Sequence, residues 1–318
     1  MLMKKILVTG ASGFIGQSLC ETLSKSGRLV LGAVRNLNSI LINKNVKYVS
    51  IGDISFKKDW KNFLYGIDCI IHCAGTAHKM NNDKNFDVYR STNIDGTNHL
   101  AEQAAEAGVK RLIFLSSIKV NGESTNNIKS QKKFSNNDIP APMDLYSVSK
   151  LNAERVLWEV SSKTGLEVAV LRLPLVYGYG AKGNLQKLIK FVRSGIPLPL
   201  SLVKNQRSMI GTDNLVDLLI RCIDHPEASG KTFLASDGED LSTPEFIKLI
   251  ASSMGKKANL FPFPISMLKF LASVLGKRDE IDRLVGSLRI DDSYTKEILN
   301  WTPPISVEEG IRRMVQGK

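Results

Sequence analysis

No apolar run in the 318-residue chain approaches the roughly 20 residues needed to cross a bilayer as a helix, which argues against a membrane span. Cysteine is scarce. Cys20, Cys69, Cys73 and Cys222 fall in or beside expected core elements and form no paired framework, a pattern that fits buried, reduced thiols in a cytoplasmic protein. Metal ligands are not clustered either: the C-x-x-H-C run at 69–73 lies in an apolar strand, where successive side chains face opposite ways, and no second ligand pair follows, so no metal is expected. There is no internal repeat and no low-complexity tract. The N-terminus enters a strand at once, so no secretory leader is expected. The net charge is +12, but the Lys and Arg are scattered and no basic run is interleaved with stacking aromatics, which argues against nucleic acid. The excess positive charge still suits an anionic membrane surface or a small polyanionic substrate.

What is present begins at residues 4–16, KKILVTGASGFIG. Ile6, Leu7 and Val8 suit a buried parallel strand, and Gly10, Gly13 and Gly16 break it into a turn. Phe14, Ile15, Leu19 and Leu23 then share one face of a helix. A strand, a glycine-rich turn and a helix N-terminus together make an anion site, because free N–H groups and the positive dipole end point at a phosphate while glycines let it approach. Ser12 belongs to the same turn. The spacing is G-x-x-G-x-x-G rather than the commoner G-x-G-x-x-G.

Further strand-like runs follow at 29–34, 46–51, 68–73, 111–116 and 167–173, with helical stretches between them. Short-linked βα units predict a Rossmann-type doubly wound parallel sheet, and the chain length predicts a smaller C-terminal α/β substrate lobe beside it. The expected division is 1–173 plus about 211–236 for the dinucleotide lobe, and 174–210 plus about 237–318 for the substrate lobe. The second strand ends in Arg35, with no acidic residue to hold a ribose 2′-hydroxyl; an Arg there suits the 2′-phosphate of NADP(H), or is simply a solvated loop charge, and NAD(H) stays open. Asp53, followed by Ile54, is placed to face an adenine amine or to cap a helix starting near Lys57. Ala74 and Gly75, after Cys73, are small enough for a cofactor to pass close. A helix is expected over about 83–107; Asn93 in its middle is a poor helix former and points to a hydrogen-bonding task.

The fifth strand ends in Ser116 and Ser117, and an irregular polar stretch from 121 to 143 follows, long enough to act as a lid. It delivers Tyr146 to a helix expected over about 143–164. Tyr146 and Lys150 lie one turn apart; of the seven tyrosines, this is the one with a lysine four residues on, so it is the pair to weigh. A phenol near pKa 10 exchanges protons poorly at neutral pH, and a nearby ammonium is expected to lower that value. Such a tyrosine can protonate or deprotonate a sugar oxygen while hydride moves at carbon.

Beyond 173 the βα rhythm loosens. Helices are expected from 183 to 192, 214 to 222, 243 to 254 (Thr243 as cap, Pro244 first) and 307 to 314, with short strands at 207–210 and 231–235. Residues 262–276, PFPISMLKFLASVLG, fit packing within the small lobe, a subunit contact, or a membrane-touching amphipathic helix.

The phrases TGASGFIG, GDI, HCAG, NIDGT, FLSSIKVNG, YSVSK and LRLPLVYG occur in the order seen in extended short-chain dehydrogenase/reductases, and the resemblance covers nearly the whole chain. It resembles the NAD-dependent epimerase/dehydratase family, in the branch similar to UDP-glucose 4-epimerase and to bacterial enzymes acting on UDP-linked 6-deoxy amino sugars. The resemblance implies Tyr146 as acid/base, Lys150 holding the nicotinamide ribose and tuning Tyr146, and Ser117 on the reacting oxygen. It also implies Asp53 and Ile54 at the adenine, Cys73, Ala74, Gly75 and Pro174 along the cofactor, and Asn93 as support. Asn184, followed by Leu185, is similar to the Asn that holds the substrate diphosphate, and Arg207 to the phosphate-contacting Arg; a helix cap and a surface-strand charge are the plainer alternatives. Two departures stand out: Arg35 replaces an acidic residue, and Leu175 stands where the R-Y-F-N phrase has its substrate-contacting Asn.

The expectation is therefore an NADP(H)-leaning reductase of the C4 ketone of a UDP-4-keto-6-deoxy-N-acetylhexosamine, serving surface-polysaccharide synthesis in the cytoplasm, with a UDP-hexose 4-epimerase as the alternative. A non-catalytic dinucleotide sensor is the alternative of another class. The implied partners are a UDP-sugar and a second copy of the chain, paired through helices near 83–107 and 143–164.

Overall fold

The computed structural model describes residues 4–39, 43–55, 58–76, 86–126 and 133–317. Seven parallel strands form one sheet in the order β3-β2-β1-β4-β5-β6-β9. They are β1 (Lys5–Thr9), β2 (Leu29–Val34), β3 (Lys47–Ser50), β4 (Cys69–His72), β5 (Arg111–Ser117), β6 (Glu167–Leu173) and β9 (Lys231–Leu234). The order reverses at β1, so the crevice at the carboxyl ends of β1 and β4 is the topological switch point where such sheets bind ligands.

Alternation along each strand divides the core between the two faces. Ile6 and Val8 of β1 pack with α1 (Phe14–Lys25) and α7 (Thr212–Asp224), whereas Leu7 packs with α4 (Gly96–Glu106) and α5 (Leu145–Thr164). Each such fully buried Ile or Leu contributes about 1.5–3 kcal/mol. Leu299 and Trp301 also pack on the first face; they close α11 (Ser293–Leu299), which the sequence expectation had put in the smaller lobe.

A separate apolar cluster holds the remaining elements: β7 (Leu175–Tyr177), β8 (Met209–Gly211), α6 (Asn184–Ser194), α8 (Thr243–Ser253), α9 (Ile265–Val274), α10 (Arg278–Val285) and α12 (Val307–Gln316). β7 and β8 form a two-stranded parallel sheet of their own. Short α2 (Lys61–Leu64) and α3 (Phe86–Tyr89) complete the order.

Several elements differ from the sequence expectation. The long helix at 83–107 is α3, a six-residue π-helical segment (Arg90–Asp95) and α4, with 83–85 outside the described residues. The widened turn lies where Asn93 bonds to neighbouring chain rather than serving its own helix. Ser242, not Thr243, caps α8, in a capping box with Glu245; the Thr243 hydroxyl instead donates to Leu284 O at 2.6 Å. The helix expected near Lys57 is α2, and Asp53 does not cap it; residues 56–57 lie outside the described residues. The described parts of 121–143 are tied down: Phe134 N donates to Arg289 O and Ala141 N to Val120 O, while 127–132 lie outside the described residues.

Candidate active site

At the switch point β1 runs into Gly10, whose φ of +67° is open to glycine at little cost. A Cβ on Gly10 would lie 2.8 Å from Ala74 N, and one on Gly16 would overlap Gly10 O. The turn is thus closed tightly against β4 and its own helix. Gly13 is the N-cap of α1 and no side chain caps it, so the helix N-terminus presents bare N–H groups. Ser12 and Phe14 line a 590 Å³ cavity beside the turn, and Ile15 is half-buried behind it. An uncapped N-terminus with a side-chain-free approach fits a dinucleotide pyrophosphate.

At the outer end of the crevice Arg35 and Asp53 are paired with each other, Arg35 Nε to Asp53 Oδ1 at 2.8 Å, both exposed. The two residues assigned to opposite ends of the adenosine are therefore neighbours, and the charge of Arg35 is offset in place. Ile54 is buried against Gly96, where a Cβ would meet its side chain at 2.7 Å.

Ala74 N donates to Thr9 Oγ1 at 3.3 Å, which fixes the Cys73–Gly75 bend. A Cβ on Gly75 would come within 3.2 Å of Asn93 Oδ1 and 3.4 Å of Lys150 Nζ, so this bend, the π segment and α5 converge. Asn93 is fully employed: its Oδ1 accepts from Thr76 N at 2.8 Å, and its Nδ2 donates to Thr76 O at 3.0 Å and Ser149 Oγ at 2.9 Å. Cys73, unlike the other three cysteines, is only half-buried, and desolvation pushes its thiol up.

Tyr146 and Lys150 stand on α5, which starts with a capping box. Asp144 accepts from Ser147 N at 2.7 Å, and Gly165 in the left-handed region ends the helix. Ser117, at the end of β5, is hydrogen-bonded to the Tyr146 phenol. Contrary to the sequence expectation, the phenol is pushed up to about 12, by burial first and then by the Asp144 carboxylate; the Ser117 bond acts the other way. The Lys150 ammonium is directed elsewhere. It donates to Leu115 O at 2.8 Å and lies 4.5 Å from the centre of the Phe114 ring, and burial lowers its pKa to about 8.

Ser117 and Tyr146 open into a cavity of about 410 Å³ whose walls also carry Pro174, Asn184, Leu185 and Arg207. Four stretches far apart in sequence meet there. Asn184 is the first residue of α6, behind the Gly183 cap. Arg207 Nη1 donates to Arg283 O at 2.6 Å and Gly286 O at 3.1 Å. Burial and the neighbouring Arg283 guanidinium both depress the Arg207 pKa. Arg283 lines the same cavity and was missed by the sequence reading, as was Lys119. Two neighbouring guanidiniums that line one cavity form a place for an anion.

A third omission lies beneath the site. Arg172 of β6 donates to Glu154 of α5 through Nη2 at 2.7 Å and Nε at 3.0 Å. Ser116, next to Ser117, donates to Glu154 Oε1 at 2.5 Å. Arg172 Nη1 also reaches Asn121 Oδ1 at 3.0 Å. The network ties the helix carrying Tyr146 to the strand carrying Ser117. Its signal was an arginine inside the apolar run EVAVLRL, since a buried guanidinium needs a partner.

This fold and arrangement define an extended short-chain dehydrogenase/reductase. Residues 6–235 match the model of the NAD dependent epimerase/dehydratase family, and the chain belongs to that family. It is 41% identical over 319 residues to a UDP-glucose 4-epimerase of Vibrio cholerae, spanning 98% of this chain and 95% of that one. It is 27% identical to a UDP-glucuronate 4-epimerase of Thermodesulfobacterium geofontis, spanning 97% and 94%. Among solved structures, the UDP-glucuronic acid 4-epimerase from Bacillus cereus in complex with NAD superposes with a TM-score of 0.78 at 23% identity, covering 98% of this chain and 97% of that one; that likeness concerns the fold.

Proposed function

We propose that the protein moves hydride at C4 of a UDP-linked hexose or hexosamine, with 4-epimerisation as the net reaction. The observation that carries this reading is one cavity with the Ser117–Tyr146 pair at one end and the Arg207–Arg283 pair on its wall. The 41% identity with the Vibrio cholerae UDP-glucose 4-epimerase supports the direction of the chemistry.

A nicotinamide dinucleotide at the Gly10–Gly16 turn supplies the hydride acceptor and donor. Gly10, Gly13 and Gly16 with the bare N-terminus of α1 hold its pyrophosphate, and Cys73, Ala74, Gly75, Asn93 and Pro174 border its path. Tyr146 takes the proton from the sugar 4-hydroxyl and returns it, while Ser117 holds that oxygen in line. Tyr146 acts there as the phenolate, while the Lys150 ammonium one turn away donates to Leu115 O. Arg207, Arg283 and Asn184 bind the diphosphate, and Leu185 backs them, so binding energy from a remote part of the substrate positions C4.

Leu175 favours a second reading. It lies on the cavity wall beside Pro174, where an Asn is expected in an epimerase acting on a hydroxyl-rich sugar. An apolar wall there suits a 6-deoxy sugar and supports reduction of a UDP-4-keto-6-deoxy-N-acetylhexosamine, with Arg35 meeting the 2′-phosphate of NADPH only once it leaves Asp53. A homodimer and a cytoplasmic location accompany both readings.

Denaturing the purified protein and identifying the released dinucleotide separates the two. Stoichiometric NAD, with UDP-glucose or UDP-N-acetylglucosamine converted without added cofactor, supports epimerisation. NADPH oxidised mole for mole with a UDP-4-keto sugar supports reduction. Dinucleotide binding with no turnover on either class of sugar refutes both and leaves a sensor.

A further inference from the structure

Helix α9 presents a stripe that nothing among the described residues covers. Met267, Phe270, Leu271, Val274 and Leu275 follow one another at helical spacing and are 47–71% exposed, while Ala272 is buried and Ile265 and Leu268 pack inward on the smaller lobe's core. The sequence expectation of packing within the small lobe holds only for that inner face. Phe261, just before the helix, is exposed as well. Four large apolar side chains on one face of a ten-residue helix, with a fifth at its C-cap, are more than scattered surface hydrophobes provide.

The charges that the segment itself carries are of one sign. From Lys256 to Arg278 the chain carries Lys256, Lys257, Lys269, Lys277 and Arg278 and no acidic residue. Lys256, Lys257 and Lys277 are exposed, Lys256 donating to Arg193 O at 2.7 Å; Asp282 of α10 pairs with Lys269 at 2.7 Å and with Arg278 at 2.7 Å, steadying the base of the helix. Asp279 and Glu280 follow on α10. The whole chain is also basic, at +12.

We propose that α9 docks the protein on an anionic lipid bilayer, with Met267, Phe270, Leu271, Val274 and Leu275 entering the interface and the flanking lysines meeting acidic headgroups. The helix is about 15 Å long, so it lies on the surface and does not span. Helix α10 packs on α9 and supplies Glu280, Arg283 and Leu284 to the substrate cavity. Docking therefore sets one wall of that cavity next to the membrane. The surface is independent of which C4 reaction the site performs.

The test is co-sedimentation of the full-length protein with vesicles of phosphatidylglycerol and phosphatidylcholine, against vesicles of phosphatidylcholine alone. Wild type should bind the mixed vesicles and release in about 0.5 M salt. F270S/V274S should lower the bound fraction roughly tenfold or more with an unchanged melting temperature, since both side chains are exposed. M267S/L275S, at the two ends of the stripe, should reproduce that loss. Absence of binding to the mixed vesicles overturns the proposal, as does equal binding by both double variants. So does concentration-dependent self-association, read by sedimentation velocity, that the same variants abolish; the face would then belong to a second copy of the chain.

Discussion

Replacing Arg172 by Met tests whether the buried pair beneath the site sets its geometry. Arg172 is 6% and Glu154 2% exposed, and Glu154 accepts from both Arg172 and Ser116. Removing the guanidinium leaves a carboxylate in the interior with one hydroxyl partner and frees Asn121 Oδ1. Leaving one member of a buried pair uncompensated costs about 3–5 kcal/mol. For a chain of this size that lowers the melting temperature by about 4–8 °C. Arg172→Met with Glu154→Met removes both charges and should be less destabilised than R172M alone, because no ion is then stranded. Differential scanning fluorimetry reads stability, and steady-state turnover on the UDP-sugar reads alignment. R172M should also lower kcat more than it raises KM, because β5 carries Ser117 and α5 carries Tyr146 while Arg207 and Arg283, proposed to hold the diphosphate, lie outside both elements. The reasoning is refuted if R172M loses less than about 1 kcal/mol, or if the two substitutions add.

Three further outcomes are expected. Tyr146→Phe should lower kcat by about 10²–10⁴ with little change in melting temperature, measured by turnover and fluorimetry, because it removes the proton-carrying oxygen and leaves the ring. Arg207→Met and Arg283→Met should each raise KM for the UDP-sugar about tenfold or more with kcat largely retained, since each charge-assisted bond to phosphate is worth about 1.5–3 kcal/mol. Asp144 is held down to about 2, burial opposing and the bonds from Lys119 and Ser147 prevailing. Its folded value lies below its ordinary one, so its contribution to stability is present above about pH 4 and lost as pH falls toward 2. Asp144→Asn should flatten that part of the pH–stability curve, and a slope unchanged between pH 4 and 2 would refute the assignment.

Much of this architecture is legible along the chain because the signals are local. The step from Ile6-Leu7-Val8 through three glycines to Phe14 writes a strand, a turn and a helix start within a dozen residues. Tyr146 and Lys150 are one helical turn apart, so their shared face follows from spacing alone. Ser117 follows from the end of an apolar strand. Where the reading went astray, the cause was an interaction outside the local window. Thr243 looked like a cap, but its hydroxyl is taken by Leu284 O, and Ser242 serves instead. Lys150 was expected to lower the Tyr146 pKa, but the folded chain directs its ammonium to Leu115 O and brings the Asp144 carboxylate to bear on the phenol.

By itself, then, the sequence determined the parallel α/β sheet, the glycine-rich turn at its switch point and the placement of a tyrosine and a lysine on one helix face, because backbone period and glycine sterics act between near neighbours. Tertiary structure alone decided the rest. It paired Arg35 with Asp53, set Arg283 beside Arg207 across 76 residues of chain, joined Glu154 to Arg172 under the site, and turned the apolar face of α9 outward. Those outcomes depend on which surfaces the folded sheet and its helices bring together, and on which charges must then find partners away from water.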